Sequence, residues 1–308
     1  MNGVIVVDKP VGPTSFDVVA KVRRAAKIKK VGHGGTLDPL ASGVLPVCVG
    51  EGTKLAPFLL DADKAYEFTV RFGVETDTDD AGGTVTRTAD ASGIARDAVE
   101  QALGAFRGAI SQAPPAYAAI KRGGRALYDY ARAGEIVEVP PRDVTIFELA
   151  LVAFEGPAAV ALRVSCSKGT YVRALARDLG RAMGVGAHVT ALRRTRSGPF
   201  DLALAQPLDQ ALAALATGQA SLLPLAAALR YPRIAVDGAM GRRLRAGQRV
   251  SWSELAAGDA PRVSVVDQAG DLIAVAEPRP DGLVRTLRVF GSELQKPGGN
   301  GVDGSAIL

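Results

Sequence analysis

One acid stands in the stretch Val31 to Leu45, VGHGGTLDPLASGVL, among four glycines and beside one of the two histidines in the 308-residue chain. Pro39 disfavours helical backbone at Asp38, and Gly34 and Gly35 permit a close backbone approach. A carboxylate placed this way can act as a nucleophile if a nearby cation keeps it ionised. It can equally cap its own turn. Both readings stay open on these residues alone. A phosphate loop does not: Gly43 to Gly50 lacks the Gly-x4-Gly-Lys-Ser/Thr order, and Gly52-Thr53-Lys54 reverses it. Ser165-Cys-Ser-Lys168 matches the Ser-x-x-Lys of acyl-transfer sites, but neither Ser-Asp-Asn nor Lys-Thr-Gly accompanies it. With only His33 and His188 and no Cys-x-x-Cys pair, a protein-ligated zinc or iron site is nearly excluded, and no metal and no cofactor are expected. Glu75 to Gly83, ETDTDDAGG, lacks the ordered ligands and closing glutamate of a calcium loop and is expected to be a solvated turn.

Basic residues number 37 against 32 acidic ones, a net charge of +5. Their clustering says more than their sum. Lys21 to Lys30 (KVRRAAKIKK) carries six positive charges and no negative one. Lys121-Arg122 with Arg125, Arg193-Arg194 with Arg196, and Arg242-Arg243 with Arg245 follow along the chain. Clusters of this kind fit a polyanion better than a membrane. No apolar run approaches the roughly 18 to 20 residues of a membrane span. MNGVIVVDKP lacks the basic segment of a secretory signal, and Cys48 and Cys166 read as buried thiols in a reducing cytoplasm.

The elements that must position Asp38 follow from pattern. GVIVV (Gly3–Val7) is a buried strand, Thr14 or Ser15 caps a helix through Lys27, and Val44–Val49 is a strand leaving the Asp38 loop. Lys54–Leu60 reads as a short helix. In AYEFTVRF (Ala65–Phe72), Tyr66, Phe68, Val70 and Phe72 share one face. Asp97–Phe106 is a helix, and Thr145–Val152 and Ala159–Cys166 are strands. Ser111–Val144 reads as a basic, tyrosine-bearing helical arm between proline hinges. Tyr171–Met183 is a helix, and the chain is expected to stay largely helical to Pro224. Short strands with frequent turns from Arg233 to Val289 predict a small all-β module, and the glycine-rich end is expected to be disordered.

These motifs meet in a resemblance. GHGGTLDPLASGVL resembles the catalytic-aspartate motif of the bacterial tRNA pseudouridine-55 synthases, which isomerise a uridine in the T-loop of tRNA. VDKPVGPTS (Val7–Ser15), KAYEFTVRFGVETDTDDAGG (Lys64–Gly83), QAPPAYAAIKRGGRALYDYARAGE (Gln112–Glu135), CSKGTYVRALARDLG (Cys166–Gly180) and LRRTRSGPF (Leu192–Phe200) are similar to its further motifs, in family order. The terminal module resembles a PUA domain, an RNA-binding appendage.

The resemblance implies an α+β fold: a catalytic domain over 1–229 with a mixed, mainly antiparallel sheet flanked by helices and an RNA-gripping insert at about 111–144. A PUA-like domain over 230–292 and a disordered tail over 293–308 would follow. It implies Asp38 as nucleophile, Tyr66 against the target base, and Arg173 paired with the aspartate, with Tyr171 beside it. Leu192 would pack near the base, His33 would fill the place that the uridine vacates, and Lys9 would support the loop. Lys21, Arg23, Arg24, Lys121, Arg122 and Arg125 are the candidates for gripping the RNA backbone. The expected protein is a cytoplasmic monomer that acts on the T-arm of tRNA with no protein partner. Whether Asp38 attacks ribose C1′ or uracil C6, or removes a ribose proton, stays open. Two other functions also stand: a pseudouridine synthase of another RNA specificity, or a non-catalytic tRNA-folding chaperone. The rRNA-directed enzymes usually carry an arginine where this chain has Thr36.

Overall fold

The computed structural model describes residues 1–118 and 139–291, with 121–123, 125, 126, 129, 130, 133, 135 and 137 between them. The expected disordered tail and Arg132 of the arm lie outside the described residues, as do the side chains of Lys121, Arg122 and Arg125. The chain divides into two compact units, Met1–Arg230 and one that begins at Tyr231.

The first unit is built on a mixed sheet. Its strands are β1 (Gly3–Lys9), β2 (Val31–His33), β3 (Ala41–Val49), β4 (Lys64–Phe72), β7 (Gly108–Gln112), β10 (Arg142–Phe154), β11 (Ala159–Cys166), β12 (Ala187–Ser197), β13 (Phe200–Asp201) and β14 (Gln206–Pro207). Between them run two small hairpins, β5 (Val74–Thr76) with β6 (Val85–Thr88) and β8 (Lys121–Arg122) with β9 (Arg125–Ala126). The order across the sheet is β14-β1-β3-β12-β4-β11-β10-β7, with β2 on β3 and β13 on β12. Pairing is antiparallel except for β1 with β14 and β3 with β12.

Helices α1 (Ser15–Ala26), α2 (Ala56–Leu60), α3 (Arg96–Leu103), α4 (Val172–Ala182) and α5 (Leu208–Ala216) complete the unit. Val18, Val19 and Val22 of α1, Leu175 and Leu179 of α4, and Ile5, Leu45, Phe68 and Val70 of the strands join in one core. Each such side chain contributes roughly 1.5–3 kcal/mol on burial. Thr14 caps α1 in a reciprocal box with Asp17, and Lys27 ends it in left-handed backbone at φ 52°.

Three expectations need correction. The stretch expected to be largely helical contains β12, which lies in the middle of the sheet between β3 and β4. Its alternation is hidden because an arginine, Arg194, takes an inward position and the pairing with β4 slips between Val189 and Ala191 and again between Arg194 and Arg196. The arm, read as helical, carries the β8–β9 hairpin, because Gly123 at φ 57° supplies the left-handed residue that a tight hairpin turn needs.

The second unit, read as all-β, pairs its strands in the order β15 (Arg233–Ala235), β16 (Val263–Val266), β17 (Leu272–Pro278), β18 (Val284–Val289), but it also holds helix α6 (Gly238–Arg245). Asp237 caps that helix through the N–H of Met240 at 2.7 Å. Leu244 turns into a separate core with Val263, Val265 and Ile273.

Candidate active site

Asp38 sits on the loop between β2 and β3, and the loop is held from two sides. Ser15, first residue of α1, accepts the N–H of Leu37 at 2.8 Å and donates to the Leu37 carbonyl at 3.1 Å. Arg194 of β12 is 1% exposed, and all three of its donor nitrogens meet main-chain oxygens: Nε on Val44 (2.8 Å), Nη1 on Thr36 (3.2 Å) and Nη2 on Gly35 (3.0 Å). Such a buried cation is costly unless its donors are satisfied. Here they are, and the arginine fastens the loop to the sheet. Gly43 is required beside it, since a Cβ there would collide with the Arg194 main chain.

The glycines do less for a ligand than their spacing suggested. A Cβ on Gly34 would meet Leu59 at 2.7 Å, so that space is already filled by the protein. Gly35, at φ 144°, turns its carbonyl to Arg194.

Arg173, in the first turn of α4, brings its Nε to 2.8 Å from Asp38 Oδ2. The arginine side chain is 6% exposed and that of Asp38 35%, so the carboxylate is paired on one side and open on the other. The open side faces a cleft of about 300 Å³ lined by Asp38, Tyr66, Tyr171, Arg173, Leu192 and Arg194 among others. Burial pushes the phenols of Tyr66 and Tyr171 up, so both stay neutral. Arg142 lies over the Tyr171 ring at 5.4 Å. Leu192, 7% exposed, gives the cleft an apolar wall.

Lys9 and His33 stand outside the cleft lining. Lys9 is fully buried and donates to the carbonyls of Pro10 (2.9 Å) and Pro13 (2.8 Å), fixing the turn into α1. Burial lowers its pKa to about 8, against the opposing pull of Asp38. His33 ends β2, where its Nδ1 accepts the N–H of Gly35 at 3.3 Å. Burial and then Arg194 hold the imidazole below its usual range. Lys21, Arg23 and Arg24 are exposed along α1, and Arg23 also donates to the Val31 carbonyl at 3.3 Å.

The acidic stretch expected to be a solvated turn is instead tied into the site. Asp80 is 8% exposed, accepts from Thr78 Oγ1 at 2.8 Å and Gly82 N at 2.9 Å, and stands 3.6 Å from Arg173 Nε. Asp79 pairs with Arg177 at 3.1 Å. Arginines four residues apart on one face of α4 therefore hold the loop, a partnership between distant segments that no local pattern displays. Sequence reasoning missed Arg194 and Lys64 as well. Lys64 is 7% exposed and donates to the carbonyls of Leu59 (3.3 Å) and Leu60 (2.6 Å), and burial followed by Arg194 lowers its pKa to about 8.

The other basic clusters are partly spent inside the fold. Arg193 pairs with Asp8 at 2.7 Å and Arg196 donates to Ser165 Oγ at 3.2 Å. In the second unit Arg243 pairs with Glu254 at 3.0 Å, while Arg242 is exposed. Both cysteines are buried free thiols, as expected, with Cys48 pushed up to about 12 and Cys166 to about 11. Among the described residues, no three His, Cys, Asp or Glu side chains gather as a metal-binding group, and no helix is long and apolar enough to cross a membrane.

The mixed sheet, with its single carboxylate set against an arginine in an aromatic and apolar cleft, has the architecture of a pseudouridine synthase catalytic domain. Residues 23–172 match the family described as TruB family pseudouridylate synthase (N terminal domain), and 173–230 match the tRNA pseudouridylate synthase B C-terminal domain. The chain belongs to the TruB family. It is 50% identical over 282 residues to tRNA pseudouridine synthase B of Burkholderia pseudomallei, covering 90% of this chain and 93% of that one. Against the Pseudomonas aeruginosa protein of the same name the identity is 44% over 301 residues, 95% of this chain and 97% of that one. A chain in the solved structure of an H/ACA RNP bound to a substrate RNA containing 2′-deoxyuridine superposes with a TM-score of 0.70 at 25% identity, covering 94% of this chain and 85% of that chain.

Proposed function

We propose that this chain isomerises uridine-55 in the T-loop of tRNA to pseudouridine, with Asp38 as the reacting carboxylate. The observation that carries the reading is the Asp38–Arg173 pair, closed on the arginine side and open to the cleft on the other. The reaction breaks the ribose C1′–uracil N1 bond, turns the base, and forms C1′–C5; a proton leaves C5 and one is gained at N1. Atoms balance within the nucleotide, so neither an oxidant nor a group donor is needed. Arg173 aims Asp38, while Tyr66 and Leu192 bracket the base in a cleft that limits escape of the detached uracil.

A stacked base cannot reach Asp38, so the uridine must be flipped out at a cost of a few kcal/mol. A loop of RNA makes this cheaper than a duplex, and its splayed bases can be read by side chains. Lys21, Arg23 and Arg24, with Lys121, Arg122 and Arg125 of the arm, supply the phosphate grip. The unit after Arg230 acts as a PUA-like RNA-binding domain over 230–292. The enzyme works as a monomer in the cytoplasm without a protein partner.

Incubation with unmodified tRNA followed by mapping of pseudouridine tests the reading. The expected product is a single pseudouridine in the T-loop, absent with Asp38→Asn although that variant still binds the tRNA. A product elsewhere overturns the position, and substantial turnover by Asp38→Asn overturns the role of the carboxylate.

A further inference from the structure

Phe16 is the most exposed large apolar side chain among the described residues, at 72%. It serves neither the core, which α1 reaches through Val18, Val19 and Val22, nor the cap, which Thr14 and Asp17 complete. Leaving such a ring bare forgoes roughly 1.5–3 kcal/mol of burial. Its surroundings point to a ligand. The ring meets the His33 imidazole edge-to-face, with centroids 5.3 Å apart and planes at 78°. This geometry braces both rings and, given the exposure of Phe16, leaves one of its faces open.

Phe16 is also fixed relative to the reacting carboxylate. The residue before it, Ser15, makes both of its hydrogen bonds to Leu37, the residue before Asp38. Its other neighbours are cationic. Phe16, Ala20, Arg23 and Arg24 fall on one face of α1 by helical spacing, all exposed, with exposed Lys27 at the end of the helix, and the small Ala20 leaves the way along that face clear. Arg23 follows Phe16 by about 10 Å along the axis, and its bond to the Val31 carbonyl draws the face along the seam with β2, the strand that ends in His33. Lys29 and Lys30 continue the positive track. The one acid of the first turn, Asp17, is occupied by Thr14. An aromatic platform continued by a run of exposed cations is the arrangement that binds unpaired nucleic acid, with bases on the ring and phosphates on the charges.

We infer that Phe16, braced by His33, is a stacking seat for an unpaired nucleobase of the RNA strand that enters the Asp38 cleft, with the adjoining phosphates along Arg23, Arg24 and Lys27. The inference rests on the RNA-modifying reading above and adds to it a base-binding position outside the cleft. The seat takes any base, since every base has a π face; its partner is single-stranded RNA rather than duplex.

Equilibrium binding of a T-arm stem–loop RNA to the full chain, carrying Asp38→Asn to block turnover, tests it. Phe16→Ala is expected to weaken binding about tenfold, and Phe16→Trp to restore it. Stacking releases no counterion, so Phe16→Ala leaves the dependence of binding on salt unchanged, whereas Arg23→Ala lowers its slope by about one. A fluorescent base analogue in the loop is quenched on binding to the parent protein and not to Phe16→Ala. Because the side chain is exposed, the melting temperature of Phe16→Ala matches the parent, which separates the loss from misfolding. Binding of Phe16→Ala within twofold of the parent overturns the seat and leaves the surface to another class of partner, and so does a loss accompanied by a flattened salt slope. If the parent protein itself fails to bind the RNA, the proposed function has failed, a result distinct from either of these.

Discussion

Arg173 meets Asp38 through Nε, 2.8 Å from Oδ2, and both of its terminal nitrogens are committed elsewhere. Nη1 donates to the Thr78 carbonyl and Nη2 to the Tyr117 carbonyl, each at 2.8 Å. One guanidinium thus joins the Asp38 loop, the acidic loop and the root of the arm. A planar fork with five donors can do this; a single ammonium cannot. Arg173→Lys keeps the charge and is expected to lower the single-turnover rate by about 100-fold. Affinity for tRNA should change little, because the lost contacts lie within the protein. Rapid-quench measurement of pseudouridine at saturating enzyme checks this, and a rate within a few-fold of the parent would show that charge alone suffices.

Gln112 closes β7 at the start of the arm, and its buried side chain clasps the backbone of Tyr171. Nε2 donates to the Tyr171 carbonyl at 3.0 Å, and Oε1 accepts the Tyr171 N–H at 2.7 Å. Tyr171 caps α4, two residues before Arg173. Gln112→Leu keeps the bulk but strands the Tyr171 N–H, while the Tyr171 carbonyl keeps the Leu175 N–H at 3.0 Å, at a cost of about 1–3 kcal/mol. Urea unfolding measures the loss. Gln112→Glu still accepts the Tyr171 N–H and is expected to retain part of the stability, while equal losses from both variants would show that the contact to the carbonyl matters more.

Lys9 and Lys64 give the fold a distinctive response to pH. Both are lowered from 10.5 to about 8, so between these values the unfolded chain binds more protons than the folded one. Stability therefore rises as pH climbs through about 8 to 9, by roughly 1 kcal/mol per lysine. The thiols act with the opposite sign. Cys48 and Cys166 are raised from 9.0 to about 12 and about 11, so the folded state keeps protons that the unfolded chain sheds, and stability falls above about 9. Urea midpoints across this range should pass through a maximum. Lys9→Met should remove the part of the rise due to Lys9, and an unchanged slope in that variant would assign the rise to other groups.

Much of the lining of the cleft was legible because it is written in short motifs. Asp38 in its turn, Tyr66 on the inward face of a clean alternation, and Arg173 just inside α4 stand where the motifs implied, and all three line one cleft. The assignment to the family followed from the same residues. The strands β1, β3, β4, β10 and β11 were readable because apolar alternation or continuous apolar runs report burial directly.

Local pattern could not expose contacts whose partners lie far apart in sequence. Arg194 looked like one more surface arginine in a basic run, yet it is the buried clamp of the Asp38 loop, because β12 pairs in parallel with β3 and sets Arg194 against Gly43. The same inward arginine concealed β12 itself. The acidic loop read as solvated because its partners, Arg173 and Arg177, lie about a hundred residues away on α4. Residue type and spacing determined which groups were candidates for the cleft and, broadly, which fold carries them. Only the tertiary structure decided which charges are spent on the protein and which remain for RNA, since that depends on which distant donors and carbonyls the sheet brings within hydrogen-bonding reach.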